Sequence, residues 1–319
     1  MSTQLLRLIF QRFLLGLLTL FAISILIFLA AEILPGDVAQ TILGQSATPE
    51  NLANLRAELG LNQPPLQRYS AWLGGILRGD LGTALVNKKP VAELIGPRFG
   101  NTLFLASVSA LIAVPLAIIL GLIAVRFRDK WLDKLISTLT LTAISLPEFF
   151  VGYMLILFFS IKWQMFPSLS TVNASMSLGE RLTAVALPCA TLTFVVLAHM
   201  MRMTRAAIIN VMSSPYIEMA QLKGVSPLKI IFRHALPNAI SPIINVVVVN
   251  LAYLIVGVVI VEVIFVYPGM GQLFVDNVSK RDLPVVQACA LIFAAVFIGL
   301  NMLADILSIL GNPRLRFPK

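Results

Sequence analysis

The chain has 319 residues, 58% of them hydrophobic and only 12% charged, with a formal net charge of +9. Soluble domains carry roughly 25% charged and 45–50% apolar residues, so this composition, with a mean hydropathy of +0.90, excludes an ordinary soluble fold and points to an all-α polytopic membrane protein. The positive charge lies in short loops beside apolar segments, as membrane topology requires. No basic patch is interleaved with aromatics, so no nucleic acid is expected as a partner.

About 20 apolar helical residues cross a bilayer core, and six segments qualify. The first is Phe13 to Ala31, free of charge between Arg12 and Glu32. Its apolar run of about 19 residues exceeds a signal-peptide core and no A-x-A site follows it, so it reads as a retained anchor. A long loop, Glu32 to Arg98, comes next and is charge-balanced. Leu34-Pro35-Gly36-Asp37 opens it with a turn signal. Thr48 and Pro49 predict an N-cap and first helical position, Leu52, Leu55 and Leu59 form one stripe, and Gly60 ends that helix. Pro64-Pro65 opens a second helix through Tyr69, Trp72 and Leu73, which Gly79-Asp80-Leu81-Gly82 closes. The loop therefore reads as a small folded helical insert.

The second span is Phe99 to Val125, and the third is Leu135 to Ile161, interrupted by Pro147-Glu148. The fourth runs from about Leu182 to Met201, the fifth from Ala239 to Val261, and the sixth from about Pro284 to Leu310. The organisation is a first segment and span at 1–34, an insert at 35–97, and a core at 98–319 carrying a polar loop at 202–237. Cys189 and Cys289 lie within apolar spans, where cysteine behaves as a small hydrophobe. No ligand cluster accompanies them, and no metal is expected.

Six spans put both termini on one side. That side has Arg7, Arg12, Arg126, Arg128, Lys130, Lys134, Arg202, Arg205, Lys223, Lys229, Arg233, Arg314, Arg316 and Lys319. The short loops of the other side have only Lys162, Arg181, Lys280 and Arg281. The positive-inside rule makes both termini and the 202–237 loop cytoplasmic, and the insert extracytoplasmic.

Within that loop, Ser214 and Pro215 give an N-cap and first helical position, and Glu218 in the first turn suits the helix dipole. Gly224 is a natural residue for the left-handed turn after a helix. Ser226-Pro227 repeats the start signal for a second short helix, expected to run to about Ala235 before Pro237. Tyr216, Met219 and Ala220 fall on one face of the first helix, which is suited to docking in a partner's groove.

Glu218-Met219-Ala220, three residues, Gly224, then Leu236-Pro237 resembles the E-A-A-x3-G-x9-I-x-L-P signature of ABC importer permeases, with Met219 for Ala and His234 for Ile. The N-terminal RFLLGLLTLFAISILIFLAAEILPGD, Leu59-Gly60-Leu61, Pro65 to Tyr69 and Gly79-Asp80-Leu81-Gly82 are similar to peptide and nickel importer permeases. So are Val261–Leu273 (VEVIFVYPGMGQL), Arg281-Asp282, and the tail Asp305 with Asn312-Pro313-Arg314-Leu315-Arg316, where many members have Asp at the Asn312 position. The resemblance implies a type I ABC importer permease fold. It also implies a second homologous permease subunit, two cytoplasmic ATPase subunits, an extracytoplasmic solute-binding protein, and residence in the bacterial inner membrane. No G-x4-G-K-[ST] phosphate loop occurs in the chain. The chain itself is therefore expected to hold no cofactor and to be no enzyme, with ATP and Mg on the partner ATPases.

The resemblance makes Pro215, Tyr216, Glu218, Met219, Ala220 and Gly224 an ATPase-coupling loop. Glu218 is its leading contact, with plain stabilisation of the helix start as the alternative. Lys223, Lys229 and Arg233 read as positive-inside charges with no other role, a part in the loop's contact being the alternative. Glu148, beside Pro147, is an isolated charge inside a span. Such a charge costs on the order of 2.5–3.5 kcal/mol, so it lines the translocation pathway or packs at a subunit interface. Glu262, Pro268, Gly269 and Gly271 form an outer gate or a tight external turn, and Asp282-Leu283-Pro284 starts the sixth helix. His199 and His234 stand alone as packing or surface residues, and Asp305 caps or pairs locally. The substrate class implied is di- or oligopeptides, with nickel chelates, glutathione or another small solute as alternatives. A secondary transporter would show internally related interrupted repeats, and a membrane enzyme would show H-E-x-x-H, G-x-S-x-G or a clustered His/Asp set; neither pattern is present.

Overall fold

The computed structural model of the chain describes residues 3–33, 38–173 and 175–311. The Leu34-Pro35-Gly36-Asp37 turn and the tail from Asn312, with Arg314, Arg316 and Lys319, lie outside those residues. In hydrocarbon every backbone polar group must be satisfied within its own segment, and the apolar runs accordingly fold as helices. α1 is Thr3–Ile33. α2 (Val38–Leu43), α3 (Pro49–Glu58) and α4 (Pro65–Leu77) make up the insert. Thr48 caps α3 by accepting from the Asn51 N–H at 3.3 Å, and Gly60 follows with φ +66°.

α5 is Val91–Arg126, 36 residues and about 54 Å long at 1.5 Å per residue. It starts eight residues before the predicted Phe99, so the boundary set at residue 97 falls inside a helix. Val91 and Ile95 pack into an apolar cluster with Met270, Val285 and Cys289. That burial carries the first two turns through Pro97.

The third span is not one kinked helix but two segments, α6 (Trp131–Ser145) and α7 (Glu148–Leu155), the latter continued by a π-turn over Ile156–Lys162; the two parts are bent by 102°. Pro147 is the cause. A proline drives the preceding residue out of the helical region, and Leu146 sits at φ −88°, ψ 129°.

α8 is Leu178–Ala184 and α9 is Ala186–Met212. α8 opens on a capping box, with Ser177 Oγ accepting from the Glu180 N–H and the Glu180 carboxylate accepting from the Ser177 N–H. Hydrogen bonds from the Ser177 hydroxyl and backbone hold that carboxyl below its ordinary range. α9 extends eleven residues beyond the predicted Met201. α10 (Pro215–Leu222) and α11 (Pro227–Lys229) follow. A π-turn over Ile230–Ala235 then joins α11 to α12, Leu236–Ile264. Pro237 was expected to end the second short helix, yet the helix runs through it. The Leu236 N–H bonds back five residues to the Ile231 carbonyl, and the widened turn makes room for a proline ring that an ordinary α-turn would crowd. α13 (Met270–Lys280), an amphipathic helix absent from the sequence reading, precedes α14, Leu283–Gly311.

Five of these helices are long and apolar enough to span a membrane, or six when the bent pair is counted as one span. α9 is the central helix: its apolar window is 56% buried, against 11% for α1. It packs most extensively on α5, where Gly121 permits the approach. A Cβ there would lie 3.1 Å from Thr204 Cγ2. Small residues at such crossings let backbones close up where no hydrophobic force drives helices together. One end of the bundle gathers Arg12, which pairs with Asp305 at 2.7 Å across α1 and α14, and Arg205, which grips Asp133. Asp305 therefore pairs across the bundle and not locally.

Candidate functional site

Three arrangements stand out. The first is the 213–235 hairpin at that same end. Ile217 is fully buried and seats α10 on a cluster formed with Val125, Ile208, Ile230, Ile231 and Ile243. Gly224 has φ +74°, the left-handed region open to glycine at little cost, so the chain reverses there. Ser214 and Ser226 occupy the N-cap positions, without side-chain cap bonds, and Pro215 and Pro227 begin the two helices. Pro215, Glu218 and Gly224 are exposed, and Glu218 makes no ion pair among the described residues. Tyr216 and Met219 present apolar surface to the outside, whereas Ala220 is half-buried against the seat. The rest of the exposed face comes from Leu222, Leu228 and Phe232, which the sequence reading left out. Their signal was the apolar spacing across both short helices, read on the first helix alone.

The arm carrying the hairpin is fixed by Arg205. Its Nε and Nη2 donate to the two Asp133 oxygens at 2.9 and 2.7 Å, a bidentate geometry. Asp133 also accepts from the Asp129 N–H at 3.1 Å.

The second arrangement lies at the opposite end. Glu262 is fully buried, and its side chain faces the backbone of the loop that follows it. Oε1 accepts from the Thr102 hydroxyl at 2.6 Å, and Oε2 accepts from the Gly271 and Gln272 N–H groups at 2.7 and 3.1 Å. Thr102 in turn accepts from the Met270 N–H at 2.8 Å. Asn101 donates to the Pro268 carbonyl, and the buried Tyr267 hydroxyl donates to the Asn101 carbonyl. The loop is thus clamped onto α5. Gly269 and Gly271 have ordinary backbone angles, and the positive φ is at Val266, +50°. The glycines serve close approach, not chain reversal. On the same face, Asp282 is buried and accepts from the Leu85 and Val86 N–H groups, both at 3.0 Å. It begins α14, as expected, and also ties the insert to the core. The insert is held to α1 by Arg68 on Glu32 and by Tyr69, whose hydroxyl lies 2.8 Å from that of Ser24.

The third is a cavity of about 500 Å³ between α7, α9 and α12. Glu148 lines it at the start of α7, just after the Pro147 break. His199 is not solitary: it lines the same cavity, together with Asn250 and Tyr253. Among the described residues no group of three His, Cys, Asp or Glu side chains is arranged to hold a metal ion.

Residues 113–317 match the model of the binding-protein-dependent transport system inner membrane component, and residues 5–106 match the model of its N-terminal region. The chain is 38% identical over 305 residues to the glutathione transport system permease protein GsiC of Escherichia coli, covering 95% of this chain and 97% of that protein. It is 36% identical over 295 residues to a putative peptide transport system permease protein of Brucella abortus, covering 92% and 94%. The fold is similar to a chain in an inward-facing structure of the MetNI methionine ABC transporter, with TM-score 0.50, 17% identity, and coverage of 70% of this chain and 95% of that one.

Proposed function

The chain belongs to the binding-protein-dependent transport system inner membrane components, and on that premise we propose that it forms half of the translocation pathway for peptides in an ATP-driven importer. It is a multi-pass permease subunit of the inner membrane, with the fold of an ABC importer permease. The other half comes from a second homologous permease. Two ATPase subunits bind the hairpins of the two permeases, this chain's 213–235 hairpin being one of them, and hold the ATP and Mg. A binding protein delivers solute to the insert and the clamped loop on the other face. The termini and hairpin are cytoplasmic, in keeping with the excess of Lys and Arg at that end.

The observation that carries this reading is the hairpin. An eight-residue helix is anchored by one buried isoleucine and turns an apolar face outward, a helix-in-groove geometry. One or two turns bury little area in lipid, which favours a protein partner. The test is purification of the tagged chain from the membranes of its own cells. ATPase subunits should co-purify, and the reconstituted complex should take up dipeptides with ATP and binding protein present. Uptake that proceeds with the ATPase inactivated would exclude the reading. Glutathione, itself a tripeptide, is a second reading of the solute, favoured by the 38% identity to the glutathione permease.

A further inference from the structure

Glu148 Oε2 is shielded from solvent and has no hydrogen-bond partner among the described residues. An unpaired buried carboxylate oxygen is costly, and nothing in the fold of this subunit requires one at this position. The polar groups beside it in the cavity, His199, Asn250 and Tyr253, supply no fixed cation. Asn250 is already engaged: its side-chain amide donates to the Val246 carbonyl at 2.8 Å. The rest of the wall is apolar, with Leu192 and Val196 from α9 and Leu254 from α12. A volume of about 500 Å³ falls in the range of pockets that enclose small organic ligands, roughly 300–1,000 Å³. One acidic acceptor in an apolar chamber complements a solute with an ammonium group beside an apolar body.

We propose that this chamber is a contact site on the translocation route for the cationic amine of a passing solute, with Glu148 as the acceptor. The inference rests on the permease reading and refines it. Selection then takes place inside the membrane as well as on the delivering protein. The Pro147 break is what aims Glu148 inward, because it starts a new helix at this depth and turns it by 102°. Glu148 stands in the first turn of α7.

The test uses the assembled transporter with Cys189 and Cys289 replaced by alanine and a single reporter, Val195→Cys, on the chamber wall. The reporter's modification rates are measured with a trimethylammonium methanethiosulfonate and a sulfonate methanethiosulfonate, each normalised to its rate on free thiol. A unit charge at roughly 6 Å separates cation from anion by about tenfold even at the dielectric of water. The expected result is a cation preference of that size, lost in Glu148→Gln and kept in Glu148→Asp. A small neutral methanethiosulfonate should react equally in all three, which reports an intact chamber. The proposal is overturned if the reporter reacts with no reagent in the assembled complex, because the sister subunit then fills the chamber. An unchanged preference in Glu148→Gln overturns it as well. Either failure leaves co-purification with ATPase subunits intact, and loss of that co-purification would instead mark failure of the permease reading.

Discussion

The Glu262 carboxylate occupies the space that a side chain on Gly269 would need: a Cβ built there overlaps both the carboxyl carbon and Oε1. At Gly271 a Cβ would lie 2.6 Å from Val259 Cα, where only backbone movement could relieve it. The carboxylate reaches the loop's N–H groups because those two positions carry no side chain. Gly269→Ala and Gly271→Ala should each destabilise by about 1–3 kcal/mol, the usual cost of overpacking. Gly257→Ala in the same region of α12, where nothing lies within 4 Å of a new Cβ, should be neutral. Thermal unfolding of the detergent-solubilised complex measures the difference, and equal melting temperatures for all three variants would refute the clamp.

Removing the acceptor tests the clamp from the other side. Glu262→Ala orphans the Thr102 hydroxyl and two backbone donors in a buried site, at about 1–3 kcal/mol for each unsatisfied group. Glu262→Gln keeps one carbonyl acceptor and should lose less. Hydrogen exchange at Gly271 and Gln272 should accelerate strongly in the alanine variant and modestly in the glutamine variant.

Asp282 joins two regions almost 200 positions apart in the chain. Its two oxygens accept from Leu85 and Val86, so Asp282→Ala should free the segment around Lys88 and Lys89. Limited trypsin digestion should then cut there at least several-fold faster, with the rest of the chain as resistant as before. Asp282→Asn retains one acceptor oxygen, and its cleavage rate should fall between the two.

The spans, the caps of α3 and the turn at Gly224 were legible because each rests on local chemistry: apolar run length, a Thr-Pro start, a residue free to take positive φ. The break at Pro147 was visible, but its 102° angle was not, because an angle depends on what each half packs against. α13 was missed because its eleven residues are too short and too polar for a span search, and Tyr267-Pro268-Gly269 read as a turn. The contacts of Glu262, Asp282 and Asp305 were invisible for a common reason. Thr102, Leu85 and Arg12 each lie more than 150 positions from the acid they meet, and a single sequence carries no signal that pairs Asp282 with Leu85 or Arg12 with Asp305.

Arg205 and Asp133 set the position of the arm that carries the hairpin. Asp133 is 5% exposed and Arg205 26%, so the pair is largely desolvated, and removing one partner leaves an unpaired charge that typically costs about 3–5 kcal/mol. Arg205→Ala and Asp133→Ala should each impair assembly with the ATPase, although neither residue lies in the exposed face. The double variant should be less impaired than the sum of the two singles, since it leaves no unpaired charge. Strict additivity in ATPase co-purification would show that the pair does not act as a unit.

The hairpin itself separates seating from contact. Gly224→Pro cannot adopt φ +74°, because proline is fixed near −65°, so the reversal must fail and α10 must leave its seat. Ile217→Asp buries an unpaired charge and should unseat α10 by another route. Glu218→Lys and Met219→Asp change only the outward face and should leave the hairpin folded, as read by unchanged protease resistance. All four should lower solute-stimulated ATP hydrolysis in the purified complex by tenfold or more without preventing membrane insertion. Only the first two should also increase cleavage between Tyr216 and Arg233. Full stimulation in Glu218→Lys and Met219→Asp would mean that the exposed face of α10 meets no ATPase, and that Glu218 does no more than suit the start of its own helix.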